Sequence, residues 1–250
     1  MPATMSLAPA DWAALGFFLL VWAAFTYASD GRLFSRESLS MAMNRQREKW
    51  IRVMASRELR MIDTSIMLSL QQGTAFFASS SLLALGGCFA LLGTPDAALS
   101  ILDDLPYAGG RSRELFELKM LGLVSVLAYA FFKFGWAYRL FNYCSILIGA
   151  VPTTHEIAHS PGIADRAIER AAAMNILAGK HFSAGLRGVF FSVAYLGWFV
   201  HPIAFGLSTL ILLAVLTRRQ FFSAARLAVL DDADGQAGSG RSVAVRPVSQ

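Results

Sequence analysis

Along the 250 residues, apolar positions gather into four stretches long enough to cross a bilayer, with polar segments between them. A hydrocarbon core about 30 Å thick needs roughly 20 apolar helical residues, because the backbone must satisfy its own hydrogen bonds there. The pattern predicts spans near residues 11–29, 64–93, 115–150 and 186–216, the last with Pro202 in its middle as a kink. Between the first two spans, residues 35–62 change period. On a helical wheel Met43, Trp50, Met54 and Met61 share one side, while Arg45, Lys49, Arg52 and Arg60 lie opposite. This is a basic amphipathic helix, suited to the headgroup region of a membrane or to a packing partner, this protein's own bundle included. Residues 160–185 are alanine-rich and predict a second helix outside the membrane. Residues 231–250 offer Gly, Ser and Asp and no aromatic residue, so the tail is expected to be disordered, leaving residues 1–230 as one membrane domain.

Composition agrees with the pattern: 55% of residues are hydrophobic, 16% are charged and the mean hydropathy is +0.49. That balance excludes an ordinary soluble enzyme. The net charge of +5 lies beside apolar runs, which argues for membrane topology and anionic lipid and against nucleic acid. Eight Lys and Arg residues occupy 30–63 and only Arg111 and Arg113 occupy 94–114, so the first loop is assigned to the cytoplasm. Four crossings then leave the C-terminus outside, in conflict with Arg218 and Arg219 directly after the last span; a hairpin turning near His201-Pro202 would remove the conflict. No basic n-region precedes the first span, which therefore reads as an uncleaved helix of a bacterial inner-membrane protein.

Polar residues inside spans are the candidate functional groups, since intramembrane ionisable groups mark ion or proton pathways when they do not serve structure. Ser65, Ser69, Gln72 and Ser79 share a face of the second span, as helix glue or as the wall of a conduit. In the third, Gly122, Tyr129 and Lys133 share a face, with Arg139 beyond. Lys133 falls about 27 Å past Leu115, near the cytoplasmic surface, where it can snorkel or pair with Asp63. His201 falls about 22 Å into the fourth span, either satisfying a carbonyl freed by Pro202 or binding a proton, ligand or haem. A polar pathway would use Lys133, Arg139, Gln72 and His201.

His155-Glu156-Ile157-Ala158-His159 spells the H-E-x-x-H of zinc peptidases, in which a helix presents both histidines to the metal and the glutamate activates water. Pro152 and Pro161 leave at most two helical turns for it. The candidate third ligands His181, Glu169 and Asp165 stand in no downstream motif, so no cofactor is assigned.

Arg47-Glu48-Lys49-Trp50, the segment FFKFGWAYRLFNYCSILIGA (131–150) and the segment HFSAGLRGVFFSVAYLGWFVHP (181–202) together resemble the membrane proteins of domain of unknown function 599, over roughly residues 10–225. The resemblance implies a multi-span membrane protein and supplies no catalytic residue. The fold expected is an all-α polytopic membrane bundle of four transmembrane helices plus cytoplasmic amphipathic helices. The function expected is a non-enzymatic scaffold or accessory protein touching lipid, other membrane proteins or a second copy, with anionic lipid at Arg45, Lys49, Arg52 and Arg60. A small-solute or ion pathway and a zinc peptidase are the alternatives.

Overall fold

The computed structural model describes residues 7–30, 37–103, 112–159 and 161–237. They form helices α1 (Pro9–Ser29), α2 (Leu39–Ala55), α3 (Met61–Gly93), α4 (Pro95–Asp103), α5 (Arg113–Gly149), α6 (Thr154–His159), α7 (Pro161–Tyr195), α8 (Gly197–Val200), α9 (Pro202–Phe221) and α10 (Ala224–Ala237), with no strand among the described residues. α10 carries the chain seven residues into the tail expected to be disordered, and residues 238–250 lie outside the described residues.

Among the described residues five helices, not four, are long and apolar enough to cross a membrane. The expected single span over 186–216 is two helices. α7 runs unbroken from Pro161 through the alanine-rich segment to Tyr195, and the chain then reverses through α8. His201, extended at φ −164° and ψ 148°, caps α9; its Nδ1 accepts from the Ile203 N–H at 3.1 Å. Pro202 occupies the first turn of α9, where its missing N–H costs nothing, so it starts a helix and does not kink one. Ser208 Oγ donates to the Ala194 carbonyl at 2.7 Å, covering an orphan acceptor at the end of α7. His201 therefore sits, exposed, at the tip of a hairpin and not deep in a span.

Helix lengths divide the bundle into two tiers. α1 and α9, of 21 and 20 residues, are about 30 Å long, which matches the hydrocarbon core. α3, α5 and α7, of 33, 37 and 35 residues, exceed it by about 20 Å. The ends of α1 and α9 mark the boundary. Ser38 Oγ donates to Ser29 O at 2.8 Å, Gln220 Nε2 to Ser40 Oγ at 2.7 Å, and Arg187 lies 3.7 Å from Asp30. On one side of this level the core is aromatic, with Phe18, Phe191, Tyr195, Trp198 and Phe205 packed together. On the other, α2 replaces α1 and α9, and Ile51, Met54, Met67, Phe141, Cys144 and Ala171 form a second core.

α2 packs on this chain's own bundle. It runs antiparallel to the first half of α7, with Arg47 at Asn175 and Ile51, Met54 and Ala55 packed near Ala171 and Ala172. The face it buries is turned from the one expected: Ile51 and Met54 are buried while Met43 is exposed and Trp50 half-buried. Met61 and Arg60 belong to the start of α3. Arg60 donates to the carbonyls of Val151 (2.7 Å) and Pro152 (2.6 Å), closing the end of α5.

Close contact of α5 with α7 depends on glycine. A Cβ on Gly122 would fall on the Tyr195 hydroxyl, and one on Gly185 would meet the Phe134 ring at 2.7 Å.

Candidate functional site

In the α1 tier, α1 packs on α9 and stands off from α5. The gap is a groove with a cavity volume of about 1140 Å³, walled by Leu15, Leu19 and Trp22 of α1 and by Leu118, Ser125 and Tyr129 of α5, over a floor of Tyr195 and Trp198. From Ser112 at one end to Tyr129 at the other it extends about 26 Å along α5, nearly the thickness of a hydrocarbon core. Its lining is apolar and aromatic with scattered hydroxyls, the composition of sites that take apolar ligands.

A buried charged knot secures the far end. Trp198 Nε1 donates to Asp11 Oδ1 at 2.6 Å, Lys119 Nζ lies 3.6 Å from the same carboxylate, and Lys119 also donates to the Trp198 carbonyl at 2.9 Å. Asp11 and Lys119 are 5% and 9% exposed, so the pair must be satisfied by geometry and not by water. It ties α1, α5 and α8 together. At the other end Trp22 meets Tyr129 edge to face at 5.4 Å and stacks on Phe191 at 5.2 Å.

The residues expected to form a pathway are dispersed. Gln72 is exposed on the side of α3 turned away from its buried Met67 and Thr74. The same holds for Ser65, Ser69 and Ser79, which are exposed and do not glue helices within the chain. His201 is at the far tip. Lys133 and Arg139 both lie on α5 near the tier boundary, about 120° apart around the helix: Lys133 Nζ is 5.3 Å from the Tyr129 ring, and Arg139 lies over Trp136 (5.7 Å) and Tyr143 (5.4 Å). Lys133 does not pair with Asp63. Buried Asp63 accepts from Arg57 Nη1 and Trp50 Nε1, both at 2.7 Å, and so anchors the turn between α2 and α3.

Arg47, part of the segment that carries the family resemblance, was given no role by the sequence and lies half-buried at the α2–α7 contact. Its Nη1 donates to Asn175 Oδ1 at 2.6 Å, its guanidinium lies over the Phe141 ring at 5.9 Å, and burial lowers its pKa from the usual arginine value. Of the cations expected to face lipid on α2, Arg45 pairs with Glu37 and Arg52 with Glu48, so their charge is balanced within the chain.

The H-E-x-x-H segment falls on α6, of six residues. Glu156 accepts from the Thr153 backbone N–H at 2.9 Å and its hydroxyl at 3.0 Å, and these bonds lower its pKa from the ordinary glutamate value. It is engaged as a local cap. Among the described residues no group of three His, Cys, Asp or Glu could hold a metal, and the His159 side chain lies outside the described residues.

Asp11 and Lys119 left a faint trace in the sequence. Asp11 is an isolated charge in the first turn of an apolar run and Lys119 follows Arg113, Glu114 and Glu117 at the start of another, so each reads as an interfacial residue. Nothing in the spacing pairs them, since 108 residues separate them.

No curated protein and no solved structure matches the chain. The family of proteins of unknown function DUF599 matches over residues 13–225, which takes in both tiers and most of the groove and begins two residues after Asp11 of the charged knot. The chain thus belongs to DUF599, as the 131–150 and 181–202 segments implied, and it is a membrane protein of that family.

Proposed function

We propose that the protein is a non-enzymatic membrane scaffold that holds an apolar chain, a lipid tail, along the groove between α1 and α5. The groove carries this reading: it runs nearly the full length of α1, its lining is apolar and aromatic, and two linkages fasten α1 at either end while leaving the middle open. In a bilayer such a space fills with hydrocarbon. A lipid tail held against a rigid aromatic floor loses motion, yet gains close dispersion contacts that bulk lipid does not offer. The reading accounts for why α1 packs on α9 and not on α5.

Native mass spectrometry of the full chain, released from detergent micelles, tests it. The wild type is expected to keep bound lipid, and the double variant Ala23→Phe, Ser125→Phe, which fills the groove from both walls, is expected to lose the lipid-bound peak. Equal lipid retention by both proteins refutes the proposal.

For orientation, the positive-inside rule places the α2 tier in the cytoplasm of a bacterial inner membrane. Five crossings then bring Arg218 and Arg219 to the same side as α2, which supports this assignment. A fluorescent protein fused after residue 250 is expected to shine and alkaline phosphatase fused there to stay inactive; the reverse pattern overturns the orientation.

A further inference from the structure

We infer that the groove selects an anionic phospholipid of the leaflet at the tier boundary, with the phosphate held by Lys133 and the outer end of the headgroup met by Arg139. This rests on the groove as a site for a lipid tail and adds the headgroup. The α5 face that walls the groove through Leu118, Ser125 and Tyr129 continues beyond it in the same direction. At 100° per residue Lys133 and Trp136 fall within about 40° of Tyr129. α1 ends at Ser29, so next to Tyr27 and Tyr129 the groove loses a wall, and Lys133 is the first cation beyond it on the Tyr129 face, with Arg139 further along and about 80° round the helix from Tyr129.

The cations are presented differently. Lys133 is half-buried, its ammonium over the Tyr129 ring. Arg139, six residues on, is about 9 Å further out. Its Nε donates to Tyr143 Oη at 2.6 Å while the rings of Trp136 and Tyr143 flank it, which holds the guanidinium in place. That offset compares with the depth of a headgroup layer, about 5–8 Å on each side of the hydrocarbon. Lys133 thus stands at the depth of a phosphate and Arg139 at the outer rim, among aromatic residues of the kind that populate this interface.

Among the described residues no carboxylate pairs with either cation. The other charges facing the mouth are Asp30 and Arg187, which lie 3.7 Å apart and offset one another. His181 packs edge-on to Trp136, at 6.5 Å between ring centres. Two uncompensated cations favour a headgroup of net negative charge, whereas a choline headgroup would bring its own cation beside them.

The test offers the full chain an equal mixture of phosphatidylglycerol and phosphatidylcholine with the same tails, in detergent, and reads the bound lipids by native mass spectrometry. The wild type is expected to retain phosphatidylglycerol about tenfold over phosphatidylcholine. The Lys133→Gln, Arg139→Gln variant is expected to bind both equally while still retaining lipid. Arg45→Gln, Arg52→Gln is expected to keep the wild-type preference. Wild-type protein that holds lipid without preference overturns the headgroup assignment and leaves the groove reading intact; wild-type protein that holds no lipid overturns both. Loss of preference only in the Arg45, Arg52 variant overturns it in favour of adsorption on α2. Displacement by soluble glycerol phosphate, with no lipid bound, overturns the lipid as the source of the phosphate.

Discussion

In the α1 tier the core is a nest of rings: Phe18 contacts Phe191, Tyr195 and Phe205 at centroid distances of 5.0 to 5.6 Å, and Trp198 stacks on Phe205 at 5.2 Å. In the α2 tier the core is largely aliphatic and small around the Phe141 ring, with Ile51, Met54, Ile148 and a ladder of Ala171, Ala172 and Ala178. The exposed residues of the tiers differ as well. α1, α9 and the α1-tier end of α3 show Leu19, Leu20, Leu83, Phe89 and Ile211 outward, whereas α2 and the first half of α7 show Arg45, Lys49, Asp165, Arg166, Glu169 and Arg170. One tier presents hydrocarbon to its surroundings; in the other α2 and the first half of α7 present charge, while Met61, Ile62 and Leu68 of α3 and Ile146 of α5 keep apolar faces exposed. Burial of an apolar side chain against hydrocarbon gains only packing, while burial against water gains the hydrophobic effect too. The aromatic nest fits the first case, since close ring contacts are what packing alone can reward. The α2 tier can hold together with smaller residues because water drives them in.

The comparison breaks most sharply at the charged knot. Lys119→Ala is expected to cost about 3–5 kcal/mol by stranding Asp11 in the α1 tier, read as a large fall in melting temperature in nanodiscs. The double variant Asp11→Asn, Lys119→Met should lose less than the sum of the single changes, and strict additivity would remove the pair from the account. Next comes a matched truncation. Ile51→Ala in the α2 tier is expected to cost about 3 kcal/mol, and Leu127→Ala in the α1 tier clearly less, because its site stays apolar on unfolding within lipid. Equal losses would mean that both tiers see the same solvent. Asn175→Ala is expected to cost about 2 kcal/mol by removing the side-chain acceptor from Arg47, with Tm again the readout. The smallest effect is at Glu156. Its folded pKa is lowered by Thr153, so its contribution is present above the unfolded value and fades as pH falls through the folded one. A melt series across the acid range should therefore show a slope in the wild type that Glu156→Gln flattens.

Much of this was legible in the residues. The first three spans, the α2 helix and the family followed from hydropathy, period and the 131–150 segment. Hydropathy did not divide the fourth span, because Leu196-Gly197-Trp198-Phe199-Val200 is as apolar as the helices it separates; the mark of the reversal lay in charge, since Arg218 and Arg219 called for a hairpin near His201-Pro202. The boundary set at Leu186 was an artefact of the same kind: the alanine-rich start of α7 becomes more apolar there without any break in the helix. For the site, the shared face of Gly122, Tyr129 and Lys133 could be read from a wheel. The groove could not, since it arises from α1 choosing α9 over α5, and that choice turns on Phe18 meeting Phe205 and on Asp11 reaching Trp198 across 187 positions.

The reversal at Leu196–His201 decides a question of parity. An odd number of passages returns the end of α9 to the compartment that holds the first loop, and there the two meet: Arg226 Nε donates to the Glu37 carbonyl at 2.7 Å, and α10 rests on α2. A few residues at the distant face thus determine that the first loop and the C-terminal helix form one continuous surface, so that anything docking on either would sense both.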